Sequence, residues 1–388
     1  MKILIATDMN IEFVCGSTYA FKRIGNLLKS RGYDVAFICP GRKLVYQKYA
    51  YQGFDVYGVA SFPTIIQKGL RFAIPFIINR SVRKILAEYR PDIIHIQSHG
   101  PLPAIVIKMA SKIKIPVVGT NHFVPDNVIH SLHLPRFLSS FLVKAEWKHL
   151  HNTFNKINYI TVPTDAAAKI LKESGFQKTI RVISNGIDLD KFTQNKSGDY
   201  LYKKYDVPRK PVLLFVGRLD PEKRVDVIIK ALPDILKQID THVVLVGTGN
   251  RMIALKKMMV EYDLDKHITF TGFLPDEDLP SIYRLASCFI MPGNAELQSI
   301  STMEAMASGL PVVAAHAMAL PELVHDGENG YLFPDGDSQA LAKKVIAILS
   351  DHKLKEQMSQ KSLEIIRHHN IGEIIRRYES LYHEIINR

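Results

Sequence analysis

The sequence predicts an α/β protein of two Rossmann-like domains in tandem, facing each other across a central cleft. Three observations carry that expectation. Short apolar runs alternate with stretches of helical periodicity almost throughout the chain. The alternation restarts at Pro211 after a polar, turn-rich segment. A length of 388 residues also exceeds what one ordinary core organises.

Taken in order, KILIAT reads as a buried strand, and a loop through Cys15-Gly16-Ser17 follows it. Ala20, Ile24, Leu27 and Leu28 recur at helical spacing and predict a helix to about Ser30, which Gly32 stops. DVAFICP is the next strand, and DIIHIQ, PVVGTNH and INYITVP are later ones, each ending in polar residues. In open α/β sheets ligands bind at those carboxyl ends. The segment SNGIDLDKFTQNKSGDYLYKKYDVPRK is poor in apolar periodicity and reads as a linker. PVLLFVG, HVVLVG, ITFTGF, SCFIMPG and PVVAA are five further strands with helical stretches between them. The tail from Leu354 reads as helical to Ile386. The domains are therefore placed at 1–190 and 191–370, and a C-terminal helix at about 371–388 is free to pack back on the first.

Composition narrows the class. Hydrophobic content of 47% and charged content of 23% describe a globular protein, and three unclustered cysteines argue against a disulfide framework or a zinc site. The apolar run of MKILIATD ends at Asp8, too short for a signal peptide, and no stretch of 18 apolar residues exists. A cytoplasmic protein is expected. The net charge of +12 is uneven: residues 1–190 hold 25 Lys and Arg against 12 Asp and Glu, leaving 25 against 26 for the remainder. A basic half beside a neutral half points to an anionic surface, either lipid head groups or nucleic acid.

The chemistry-bearing stretches lie at strand ends. In ELQSISTMEAMASGLPVV, Ser301 and Glu304 fit a capping box, which accounts for Glu304 structurally. It does not account for Glu296, which precedes the helix. A carboxylate there can bind hydroxyls while amides near Ser299 and Ile300 take an anion. In FVGRLDPEKR, Arg218 and Lys223 span a loop that can grip a diphosphate, or they form a solvated charged turn. VGTGNR offers Gly247 as a place where backbone can approach a ligand, and FTGFL ends a strand before Phe273.

Together these stretches resemble the retaining glycosyltransferases of the GT-B fold, family 4 type. The matching features are Gly16, HF at 122–123, SNGID at 184–188, GRLDPEKR at 217–224, VGTGN at 246–250, and Glu296 with Glu304. The resemblance implies that Arg218 and Lys223 hold the donor's diphosphate and that Glu304 binds the ribose. It further implies that Glu296 sits by the transferred sugar, that Ser299 and Ile300 contact its hydroxyls and phosphate, and that His122 reaches it from the other domain. Gly16 lets the first loop approach the phosphate, although Cys15 stands where the family often has a second glycine. The base meets backbone near Gly247 and Phe273. No metal and no cofactor are implied, because the cations replace a metal. Asp188-Leu-Asp190 has the spelling of a metal motif but lies in the linker.

The acceptor is read from two stretches, Phe62 to Arg90 and His133 to Leu150, in which cations are interleaved with Phe, Ile and Trp. Both suit interfacial helices on anionic lipid, or ordinary amphipathic helices with solvated basic faces. Asp126 and His99 are candidates on that side. The expectation is transfer of a hexose, from UDP-glucose, to a membrane lipid such as diacylglycerol, by an enzyme peripheral to the inner face of the cell membrane. A soluble or polysaccharide acceptor is the alternative. A non-catalytic nucleic-acid binder is disfavoured, because no such motif accompanies the basic residues.

Overall fold

The computed structural model describes residues 1–13, 16–64, 71–125, 136–193 and 198–387. They divide into two compact units, residues 1–185 with 372–388 and residues 186–371.

The first unit runs β1 (Lys2–Ala6), α1 (Gly16–Ser30), β2 (Asp34–Pro40), β3 (Gln47–Tyr51), β4 (Phe54–Val59), β5 (Ser61–Pro63) and β6 (Arg71–Ala73). It continues with α2 (Ile78–Tyr89), β7 (Ile93–Ile96), α3 (Pro101–Lys112), β8 (Val117–Thr120), α4 (Arg136–Phe154), β9 (Tyr159–Val162), α5 (Asp165–Glu173) and β10 (Ile180–Val182). Eight strands form one sheet in the order β10-β9-β8-β7-β1-β2-β4-β3, parallel except for β3. β1 and β7 are buried almost end to end, as strands covered by helices on both faces must be. β3, QKYAY, is a half-exposed edge strand, so a search for apolar runs passes over it. The sheet changes direction of growth at β1, which pairs with β2 on one side and β7 on the other.

The second unit holds α6 (Leu189–Thr193), α7 (Asp199–Lys204), β11 (Val212–Val216), α8 (Val225–Leu236), β12 (His242–Val246), α9 (Met252–Glu261) and β13 (Ile268–Gly272). After these come α10 (Leu279–Leu285), β14 (Cys288–Met291), α11 (Ile300–Ala307), β15 (Val312–Ala315), β16 (Gly330–Phe333), α12 (Ser338–Ser350) and α13 (His352–Ile366). Its six strands are all parallel, in the order β13-β12-β11-β14-β15-β16. That order reverses between β11 and β14, the position where doubly wound sheets bind ligands.

The last helix, α14 (Ile371–Ile386), belongs from Gly372 onward to the first unit. Tyr378 and Tyr382 are fully buried there. The Tyr382 hydroxyl lies 2.7 Å from His95 Nδ1, and His95 Nε2 lies 2.6 Å from Thr120 Oγ1. Burial lowers the His95 imidazole to about 3, so it is a neutral hydrogen-bonding group that joins helix to sheet. Arg181 adds a two-pronged ion pair to Glu384 at 2.7 and 2.9 Å.

Several expectations are corrected. The segment read as a linker contributes Phe192, Leu201 and Val207 to the core of the second unit, because its apolar residues are spaced over two short helices. The tail is two helices broken at 367–369. Phe62 to Arg90 does not make one helix: β5 and β6 pair antiparallel, and among the described residues of the range only Ile78–Tyr89 is α-helical. No described helix is long and apolar enough to cross a membrane.

Candidate functional site

In the second unit the loop after β11 carries Arg218 and Lys223, and the loop after β14 carries Glu296. β11 and β14 are neighbours in the sheet, so these loops meet at the point where strand order reverses. Lys223 Nζ donates to the Glu296 carboxylate, and both side chains are largely buried. Arg218 is held by its own loop: its guanidinium donates to Asp220 and, at 2.6 Å, to Glu222. Asp220 is itself buried and accepts from Asn250 N at 2.8 Å, which ties the β11 loop to the β12 loop. Asp220 and Glu222, which hold the Arg218 guanidinium, are residues that the motif reading missed. They stand two and four positions beyond Arg218, the spacing at which carboxylates in a tight turn can hold a guanidinium. Three carboxylates thus hold two cations in place.

Glu296 lies just ahead of α11. The cap of that helix is Ser299, not Ser301: Ser299 is extended, and its hydroxyl accepts from Thr302 N. The helix therefore begins two residues earlier than the capping-box spelling implies. The Glu304 carboxylate accepts from the buried Tyr283 hydroxyl at 2.8 Å. Burial beside Glu304 raises the Tyr283 phenol well above its usual range, so it remains a donor. Ile300 opens the helix, whose first-turn amides carry the positive end of its dipole.

Gly247 follows β12 directly, with φ of 129°. A Cβ there would lie 1.9 Å from Gly217 O. The glycine packs tightly against the chain's own β11 loop, and its amide is bonded to Gly272 O at 2.8 Å. Phe273 stands 59% exposed at the end of β13.

In the first unit, Gly16 opens α1 instead of lying in a loop, and a Cβ placed on it would meet nothing within 4 Å. His122 follows β8, where the Asn121 side chain bridges to both backbone groups of Phe123 and turns the strand end. His122 Nε2 lies 2.9 Å from Gln97 Oε1, at the end of the adjacent β7. Burial lowers the His122 imidazole to about 4. Gln97 is a third residue that sequence reading passed over, since a glutamine at a strand end has no spelling of its own. Asp8, at the end of β1, caps α3 by accepting from Leu102 N at 3.0 Å and accepts from Ser98 at 2.8 Å. Burial raises its carboxyl above the ordinary value. His99 is bonded to Glu146 at 3.2 Å, and Asp126 lies outside the described residues. Among the described residues, no group of three or more His, Cys, Asp or Glu is arranged to hold a metal ion.

Comparisons with known proteins agree with this architecture. A family model described as glycosyl transferases group 1 matches residues 202–364, and one described as glycosyltransferase family 4 matches residues 15–191. The sulfoquinovosyl transferase SQD2 of Arabidopsis thaliana is 27% identical over 91% of this chain and 67% of its own length. The alpha-monoglucosyldiacylglycerol synthase of Streptococcus pneumoniae is 25% identical over 94% of this chain and 83% of its own. Among solved structures, sucrose-phosphate synthase from Thermosynechococcus elongatus superposes with a TM-score of 0.80 at 18% identity, covering 100% of this chain and 99% of the other. Anabaena HepE in complex with UDP-glucose gives 0.77 at 20% identity, covering 98% and 99%. These structures share the fold.

Proposed function

The chain belongs to the glycosyltransferases of the GT-B fold and family 4 type, and from that premise we propose that it moves a hexose from a nucleoside diphosphate sugar to a membrane lipid, with retention of configuration. The observation that carries this reading is the meeting of Lys223 with Glu296 where strand order reverses, with Arg218 on the same loop. Departure of a nucleoside diphosphate leaves negative charge on its outer phosphate. Arg218, Lys223 and the amide end of α11 supply positive charge for it without calling on a metal. Glu296, displaced from Lys223 as the phosphate arrives, is left to accept from sugar hydroxyls; Glu304 accepts from the ribose alongside Tyr283. Phe273 and the backbone at Gly247 flank the base.

The acceptor hydroxyl attacks the anomeric carbon on the face that the diphosphate leaves. Its proton passes to the departing phosphate oxygen, so no separate base is invoked. The first unit is assigned the acceptor. UDP-glucose is the favoured donor and diacylglycerol the favoured acceptor, supported by the relative named for glucosylated diacylglycerol and by the basic character of residues 1–190. This reading puts the enzyme at the cytoplasmic face of an anionic membrane.

A screen of UDP- and GDP-sugars, with and without diacylglycerol micelles, tests it. UDP release stimulated by lipid, with an α-linked glycolipid product, is expected. A GDP-sugar preference overturns the donor, a β-linked product overturns retention, and equal transfer to soluble sugars overturns the lipid acceptor.

A pH profile tests the state of His122. An imidazole lowered to about 4 is neutral throughout the physiological range. Turnover is expected to stay level from pH 8 down to about 5 and to fall only as pH nears 4. An acid limb near the ordinary histidine value of about 6.5, abolished by His122→Gln, contradicts the burial of that ring.

A further inference from the structure

Resting on the lipid-acceptor reading, we propose that an apolar knob on the first unit inserts into the surface of an anionic bilayer and carries the enzyme's membrane attachment. The knob is built from the loop before β3, the β5–β6 pair and the start of α2. Leu44, Val45, Phe62, Phe72, Phe76 and Ile77 are all exposed there, Phe76 to 92%. They form one neighbourhood. The Phe62 and Phe72 rings lie 6.2 Å apart. Ser61 N donates to Lys43 O at 3.1 Å, which joins the loop to β5. Ile74 N donates to Ala60 O at 3.1 Å, and Ile77 N donates to Ile74 O at 3.1 Å, which brings the start of α2 alongside.

A nearly fully exposed phenylalanine loses the transfer energy that burial elsewhere in the fold would give it, and a cluster of such residues marks an interaction surface. Charge selects the partner. From Val56 to Ala87 the chain contains no Asp or Glu, and exposed Arg80, Arg83 and Lys84 follow the knob directly along α2. Exposed Lys43 adjoins it on the other side. Lys84 also lies 5.0 Å over the Tyr46 ring, so α2 and the loop share a face. Aromatic and aliphatic tips bordered by cations fit acyl chains beneath anionic head groups; the nearby carboxylates Glu12 and Glu88 are each paired with a cation, Arg42 and Lys48. The corrected fold matters here: the element is a turn-and-strand tip followed by a basic helix, not one amphipathic helix lying flat.

Sedimentation of the full chain with phosphatidylcholine vesicles, with or without phosphatidylglycerol, tests the proposal. Wild type is expected to pellet with the anionic vesicles and to be released by salt. Phe76→Ser with Ile77→Ser should weaken binding about tenfold or more, from the apolar area withdrawn. Arg80→Glu should weaken it about fivefold or more, because each cation near the surface contributes roughly that factor. Both variants should keep wild-type rates on acceptor dispersed in detergent, which separates docking from catalysis. Loss of activity on every acceptor by wild type would instead sink the transferase reading while leaving the vesicle result standing. The proposal is overturned if wild type ignores anionic vesicles or if the Phe76 and Ile77 variant binds them unchanged. It is equally overturned if binding is lost only on replacing the exposed Phe137 and Phe141 of α4, or if the knob proves to seat a second copy, seen as a dimer that Phe76→Ser dissociates.

Discussion

Lys223→Ala is expected to lower kcat/KM by about 10²–10³-fold, the cost of removing one positioned charge from the place where a leaving group develops its own. Lys223 lies near the switch point of a parallel sheet, its stem mostly buried and its ammonium on Glu296. The charge is compact and already oriented, so little reorganisation accompanies the step. Loss of the ammonium also leaves Glu296 with an unpaired, largely buried carboxylate, which repels the incoming phosphate. Most of the deficit should therefore appear for donor and transition state together, and Lys223→Arg should restore only part of it, because a planar fork does not replace a point charge. Steady-state kinetics alongside a thermal melt make the check. Near wild-type turnover in a folded Lys223→Ala protein would remove the centre of the proposed mechanism.

Gly247→Ala should destabilise the second unit by about 3 kcal/mol or more. Two effects add. The backbone there has φ of 129°, a region that residues with a Cβ avoid. The new methyl would also sit 1.9 Å from Gly217 O, against backbone that cannot rotate away. Relief requires separating the β11 and β12 loops, which breaks the bond from Leu219 N to Thr248 O at 2.9 Å and loosens the Arg218 loop. Gly272→Ala provides the internal control. Gly272 has φ of 70°, but nothing lies within 4 Å of its Cβ position, so it should cost only about 1 kcal/mol. Urea unfolding of the two variants measures the difference, and equal midpoints would mean the loops do not pack as described.

Legibility along the chain followed burial for most strands, although the buried β4 was passed over and the half-buried β13 was read. β1, β2, β7, β11, β12 and β14 were plain in the sequence because strands covered on both faces are continuous apolar runs. β3, β10 and β16 were not, since their partly exposed residues break the run. The start of α11 was misplaced because two serines compete for one cap, and the backbone angle at Ser299 chooses between them. The helical expectation at Phe62 failed for a related reason: apolar and basic residues in alternation suit a helix face or a strand tip equally, and pairing of β5 with β6 selects the second.

What the sequence determined unaided is therefore local: which segments are strands or helices, and which charged residues stand just beyond a strand's carboxyl end. Arg218, Lys223 and Glu296 stood out in that way, and His122 was singled out by the family resemblance. Tertiary structure alone decided who meets whom. Lys223 and Glu296 are 73 positions apart and touch because β14 lies beside β11, although β12 and β13 come between them in the chain. His122 meets Gln97 because β8 lies beside β7, and the last helix closes on His95 at the far end of the chain. The physical reason is that periodicity reports burial on one element at a time, whereas strand order is set by how whole elements cover one another's apolar faces.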